Sequence, residues 1–161
     1  MTVPVTPPLL RSLGPFDPPL LEALHERCFT APWDQAWSAT SFAEILAMPG
    51  AVGWLISDED QPLGFAVMRS VVDEMEIILI AIDPDHRRRG LAGILLDRVL
   101  ETAAQHGIKT VFLEQAAPNL AARQLYASRG FTQVGQRRRY YHGPAGDVAD
   151  AVILRRDLQA Y

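Results

Sequence analysis

Between Met75 and Gly107 the hydrophobic period of the sequence changes once, and that change limits the possible folds more than any other feature. Met75 to Ile82 is a nearly continuous apolar run rich in branched residues, the pattern of a buried strand. A polar turn follows, Asp83-Pro84-Asp85-His86-Arg87-Arg88-Arg89. From Gly90 to His106, Leu91, Ile94, Leu95, Val99 and Ala103 then line one helical face, and Gly107 sits where a left-handed C-terminal residue belongs. A strand, a tight turn and a long amphipathic helix in immediate succession make a unit of an α/β fold. Such a junction also suits a phosphate, because backbone N–H groups point outward at a helix start and the helix dipole adds positive potential. Gly90, Ala92 and Gly93 let an anion approach the backbone, and Arg87, Arg88 and Arg89 place charge on the same turn. The plainer reading is a solvated basic turn before a closely packed helix. The spacing is neither that of a G-x-x-x-x-G-K-[ST] loop nor that of the G-x-G-x-x-G dinucleotide fingerprint.

Around this unit the other elements fall into order. Residues 1–19 hold six of the twelve prolines, which favours an extended arm or strand over a helix. Asp17-Pro18 reads as the cap and first turn of a helix carrying Leu20, Leu21, Leu24 and Cys28. Ser41 with Glu44 predicts a capping box for a second helix through Ile45, Leu46 and Met48, stopped by Pro49-Gly50. Trp54–Ser57, Leu63–Val72 and Met75–Ile82, separated by the polar turns 58–62 and 73–74, read as an antiparallel meander. A short strand at Thr110–Glu114, a helix over Leu120–Arg129 ended by Gly130, and strands at Phe131–Tyr141 and Ala149–Leu158 complete the chain. At 161 residues with no dividing linker, one domain spanning 1–161 is expected.

A net charge of −4 argues against a general polyanion binder, so a nucleic-acid partner is not expected. No apolar run approaches the roughly 18 to 20 residues needed to cross a bilayer, so no membrane partner is expected either. The single cysteine, Cys28, excludes an internal disulfide and a site of several thiolates, and points to a reducing cytoplasm.

The R-x-x-G-x-A arrangement ending at Ala92, after a strand closing in Ile80-Ala81-Ile82, resembles the acetyl-CoA-binding motif of the GNAT family of N-acetyltransferases. The resemblance extends through Leu113-Glu114, Asn119, Ala121-Ala122, Leu125-Tyr126, Gly130-Phe131, Arg137 to Tyr141 and Asp150 to Leu154. Within the family the pattern is similar to the group that acetylates the N-terminal alanine of a ribosomal protein. It implies a mixed, mostly antiparallel sheet with helices on both faces, opened between two central parallel strands. By the same resemblance Glu114 is a general base, Tyr126 a proton donor and Asn119 a cofactor contact. Ile80, Ala81 and Ile82, with Arg87, Arg88, Arg89, Gly90, Leu91, Ala92 and Gly93, would hold acetyl-CoA, and no metal is implied. Trp37, Tyr140 and Tyr141 fall on the side of an acceptor protein's N-terminus, and the enzyme would be a monomer or weak homodimer. The pattern departs from the group at Gln115-Ala116, where Val-Arg is usual, and at Ala36, where a proline usually precedes the tryptophan.

The chemistry of these residues agrees with such roles. Acetyl transfer needs a neutral amine, a donor for the oxyanion and a partner for the departing thiolate. A protein α-amine is neutral in roughly a sixth of molecules at pH 7, a lysine in less than about one in a thousand. Glu114 suffices for an α-amine, directly or through water, and burial would make it a better base. A phenol is a weaker acid than a thiol, so Tyr126 is better described as donating a hydrogen bond to the thiolate. An N–H on Ile80–Ile82, freed by a β-bulge, would serve the oxyanion.

Each residue also has a structural alternative. Glu114 could be a solvated strand end, Tyr126 a core aromatic, Asn119 a helix cap, His86 an exposed turn residue and Cys28 a small core hydrophobe. Glu74 and Glu76 could attract a cationic amine or merely solvate a turn. Arg137, Arg138 and Arg139 could contact peptide or RNA, or guard a strand edge. Two rivals remain at this level: a GNAT enzyme acting on a small-molecule amine or lysine side chain, and a non-catalytic acyl-CoA or RNA-binding module.

Overall fold

The computed structural model describes residues 6–158, so the first five residues of the proline-rich arm lie outside it. Seven strands form one sheet: β1 (Leu9–Ser12), β2 (Ala51–Asp58), β3 (Gln61–Val71), β4 (Glu74–Ile82), β5 (Thr110–Ala116), β6 (Thr132–His142) and β7 (Val148–Asp157). Their order is β1-β2-β3-β4-β5-β7-β6, and only β4 and β5 run parallel. The late part of the arm is thus a strand, β1, laid antiparallel on β2.

Two helix layers cover the sheet. Helices α1 (Pro18–Cys28) and α2 (Ala39–Leu46) bury Leu21, Leu24 and Phe42 against Leu55, Phe65 and Val67 on one face. Helices α3 (Leu91–Gln105) and α4 (Leu120–Ser128) turn Leu91, Leu95, Leu96, Val99 and Tyr126 onto Met68, Ile77, Val111 and Leu113 on the other. The alternation of side chains along each strand supplies both apolar faces from the same runs. Gly107 has the positive φ, 70°, expected after α3.

Two helix starts differ from expectation. Asp17 does cap α1 by position, but its carboxylate binds Arg11 and the Gly14 N–H rather than the helix. For α2 the cap is Ser38, three residues before the predicted Ser41, and its Oγ accepts from the Ser41 N–H at 3.1 Å. The S-x-x-S spacing hides this cap because serine at the third helical position has no carboxylate to return the bond. Ser38→Ala is therefore expected to cost about 1 kcal/mol, or about 2–4 °C in Tm by scanning calorimetry, and Ser41→Ala clearly less.

The first hairpin turn is tighter than predicted, and the second is shifted by one residue. The β2–β3 hairpin closes on Glu59-Asp60 alone, leaving Gln61 and Pro62 in β3, and the β3–β4 hairpin closes on Val72-Asp73. Glu59 and Val72 have φ of 51° and 56°, the left-handed twist that two-residue hairpins require.

Candidate active site

β4 and β5 are paired only from Glu74↔Thr110 to Ile77↔Leu113. Beyond that point β4 continues along β3 and β5 along β7, so the sheet opens into a V. A bulge accompanies the parting. Val67 faces Leu79 and Met68 faces Ile77, which leaves Ile78 without a partner on β3. This bulge lies just before Ile80–Ile82, and its extra residue shifts the alternation: Asp73 O faces β5, as do the backbone groups of Met75 and Ile77, and beyond Ile78 the even-numbered residues take that side. The Asp83 N–H donates to Leu63 O at 2.7 Å, so antiparallel alternation directs Leu79 and Ala81 toward β3. The backbone groups of Ile80 and Ile82 then face the opening that β5 has left.

The V leads to the start of α3. A 3-10 turn at Pro84–His86 links β4 to the helix, and Arg27 of α1 pins it. Arg27 Nε meets Asp83 Oδ2 at 2.8 Å and its Nη2 meets Asp85 Oδ2 at 2.9 Å. Gly90 caps α3 in the left-handed region, with φ of 74° and open space where a Cβ would stand, so the first-turn amides stay uncovered. A Cβ on Gly93 would come within 2.4 Å of the Arg129 guanidinium, which packs closely on this turn. The three arginines are not equivalent. Arg87 reaches the Cys28 carbonyl at 3.4 Å, and Arg89 contacts His86 at 3.0 Å and Asp58 at 3.8 Å. Arg88 is exposed, has φ of 64°, and makes no ion pair or side-chain hydrogen bond among the described residues.

On the opposite face, Glu74 and Glu76 from β4 and Phe112 and Glu114 from β5 line a cleft of about 510 Å³ with Arg69, Arg137 and Tyr140. Glu114 is 22% exposed rather than sealed in apolar surroundings, and Arg137 Nε donates to its Oε1 at 2.8 Å. Arg137 lies two strands away, beyond β7, and reaches across it. β6 bulges here: Arg137 faces Ala151 and Tyr141 faces Ala149, so three residues of β6 oppose Asp150 alone. Asp150 accepts from the Arg139 N–H at 2.8 Å, and Arg139 has φ of 51°. The bulge sets Tyr140 under the Arg137 guanidinium, 5.5 Å from its ring centroid, and the Glu114 carboxylate pushes the Tyr140 phenol above its ordinary pKa.

Tyr126 is 5% exposed, packed edge-on against Phe131, and burial pushes its phenol well above the ordinary range. Burial does the same to Tyr141, whose ring lies 5.2 Å from that of Tyr140. Both phenols are neutral hydrogen-bonding groups at physiological pH.

The structure therefore gathers Glu114, Glu74, Glu76 and Tyr140 at one cleft, and sets Ile80, Ile82 and Arg88 to Gly93 along one path. Trp37 does not line the cleft. It sits half-buried against Phe42 and His25 under α1 and α2, where desolvation lowers the His25 pKa to about 4. Asn119 caps α4, accepting from the Ala122 N–H at 3.2 Å. His86 is a half-buried turn residue between Gln61 and Arg89, and burial raises the Cys28 thiol to about 11, leaving no reactive thiolate. Arg69 and the Arg137–Glu114 pair were missed by sequence reading. Only the strand order β5-β7-β6 brings Arg137 near Glu114, and no local signal carries it. Among the described residues no cluster suited to a metal occurs, and no helix is long and apolar enough to cross a membrane.

A sheet parted between its two parallel strands, with uncovered helix amides below the opening and a carboxylate above it, defines an acyl-CoA-dependent N-acyltransferase. Residues 19–131 match the Acetyltransferase (GNAT) family. The chain is 31% identical over 145 residues to the [Ribosomal protein bS18]-alanine N-acetyltransferase of Escherichia coli, covering 90% of this chain and 94% of that one. It superposes on the crystal structure of the ribosomal-protein-S18-alanine N-acetyltransferase from Escherichia coli with a TM-score of 0.86, 29% identity and 96% of each chain covered. The fold is shared with Ard1 from Thermoplasma volcanium, at a TM-score of 0.82 and 19% identity over 95% of this chain and 99% of that one. The chain belongs to the GNAT acetyltransferase family and is an acetyl-CoA-dependent N-acetyltransferase.

Proposed function

We propose that this enzyme acetylates the N-terminal α-amine of a protein, a ribosomal protein beginning with alanine, and that it works in the cytoplasm as a single domain. The observation that carries this reading is near full-length similarity to enzymes named for that reaction. The cleft supports it: Glu74, Glu76 and Glu114 suit an arriving ammonium, and the cleft opens on the face opposite α3.

The residues present fit acetyl-CoA. The first-turn amides of α3 and the uncommitted Arg88 suit its diphosphate, and the outward backbone of Ile80 and Ile82 suits the amides of its arm. When bound, it supplies an activated acetyl group on a thiol that departs as thiolate. Glu114 accepts the amine proton, directly or through water, once Arg137 yields or shares its oxygen. A backbone N–H at the parting of β4 steadies the developing oxyanion. Tyr126 donates a hydrogen bond toward the thiolate, since its raised pKa keeps the proton on the phenol. Arg87, Arg89, Leu91, Ala92, Gly93 and Asn119 shape the cofactor side, while Tyr140 and Tyr141 border the acceptor. Trp37 stands behind the acceptor side, packed against Phe42 in its aromatic cluster.

The test is mass spectrometry of peptides incubated with enzyme and isotopically labelled acetyl-CoA. Label is expected on the α-amine of a ribosomal peptide beginning with alanine. Label confined to lysine side chains or to small amines such as spermidine would overturn the acceptor assignment.

A further inference from the structure

Gln115 is 7% exposed, and neither its Oε1 nor its Nε2 finds a hydrogen-bond partner among the described residues. It is the only buried side chain there so left, and an orphaned carboxamide is costly in a core. Its position says what such a group is for. Alternation along β5 puts Gln115 on the face that Val111 and Leu113 turn toward α3 and α4, opposite to Glu114. Leu113 is the last residue of β5 paired with β4, so Gln115 is the next side chain on that face, where the V has opened. On its other side β5 stays closed, Gln115 pairing with Val152 of β7.

We infer that Gln115 is a cofactor-binding residue of this chain, its carboxamide engaging the amide-bearing arm of acyl-CoA where that arm passes between β4 and β5. A carboxamide offers a donor and an acceptor side by side, which is the complement of a secondary amide's C=O and N–H. The backbone of Ile80 and Ile82 offers the same pairing from the opposite wall, so the arm would be held from both sides. A valine at this position would make no such bond. The inference rests on the proposed cofactor path through the V.

The experiment is isothermal titration of coenzyme A and of adenosine 3′,5′-bisphosphate, which lacks the arm, into the wild-type chain and Gln115→Met. Methionine keeps the length and volume and removes both hydrogen-bonding atoms. The coenzyme A Kd is expected to rise about tenfold, two hydrogen bonds of ordinary net strength, while the bisphosphate Kd stays within twofold. Because the substitution removes an unsatisfied group, the Tm of the ligand-free variant is expected to equal or exceed that of wild type. An unchanged coenzyme A Kd, an equal loss for both ligands, or a ligand-free variant that is unfolded or melts well below wild type would overturn the inference. Gln115→Val is the second variant and is held to the same three outcomes. Failure of the wild-type chain to bind coenzyme A would instead sink the cofactor path itself.

Discussion

Glu114→Gln is expected to lower kcat for an α-amine acceptor by about 10²- to 10⁴-fold at pH 7, the usual contribution of a positioned general base. Fold damage cannot mimic this. Glutamine has the same shape, and what it loses is a partly exposed pair with Arg137 worth about 0–1 kcal/mol, so Tm should move by at most about 4 °C. The pH profile separates two ways of losing a base. An α-amine is roughly one-sixth neutral at pH 7, so moving to pH 9 raises the reactive form only about sixfold, whereas a lysine gains about a hundredfold. Most of the Glu114→Gln deficit should therefore persist at pH 9 if Glu114 takes the proton as the bond forms. A deficit that disappears at pH 9 would reduce Glu114 to a group that deprotonates the amine beforehand. A variant as fast as wild type at both pH values would remove it from the chemistry. The same series on a lysine peptide provides the contrast, because its recovery should be far steeper.

What the sequence made legible was whatever depends on near neighbours. The strand–turn–helix unit at Met75 to Gly107 rests on local periodicity and small residues and occurs as expected, and the cap at Asn119 is the structural alternative held for that residue. Glu114 was legible through its motif, but its surroundings were not. The carboxylate was expected to be sharpened by burial, and it is held instead by Arg137 from beyond β7, a contact set by strand order. Arg137 had read as an edge charge because β6 is indeed an edge strand, and it reaches Glu114 because β7 alone separates β6 from β5. Trp37 shows the opposite error. Its aromatic ring at an expected spacing suggested contact with acceptor, and the tertiary structure uses it to pack Phe42. Gln115 was visible only as a departure from the usual pattern, and the loss of its hydrogen-bond partners needs the three-dimensional core to be seen.

Of the three consecutive arginines, Arg88 alone should matter strongly for acetyl-CoA affinity. Arg87 is drawn back to the end of α1, and Arg89 is occupied by His86 and Asp58, so each would surrender a contact to reach a diphosphate. Arg88 surrenders none, and its left-handed φ of 64° carries it out of line with its neighbours immediately before the α3 cap. The informative substitution is Arg88→Ala rather than Arg88→Gly. Alanine, like arginine, carries a Cβ and keeps the roughly 1–2 kcal/mol of left-handed strain already present, while glycine relieves it and confuses charge with conformation. Arg88→Ala is expected to raise the acetyl-CoA Kd about 10- to 100-fold at low salt, the strength of charge-assisted hydrogen bonds to phosphate. Arg87→Gln and Arg89→Gln should each cost less than about threefold. Added salt tests the origin of the effect: wild-type affinity should fall toward that of Arg88→Ala as screening increases, and the variant should respond much less. Equal losses for all three substitutions would mean that the turn supplies only diffuse positive potential. In that event the backbone amides of α3 would carry recognition alone, and the left-handed pair Arg88 and Gly90 would serve only to start the helix.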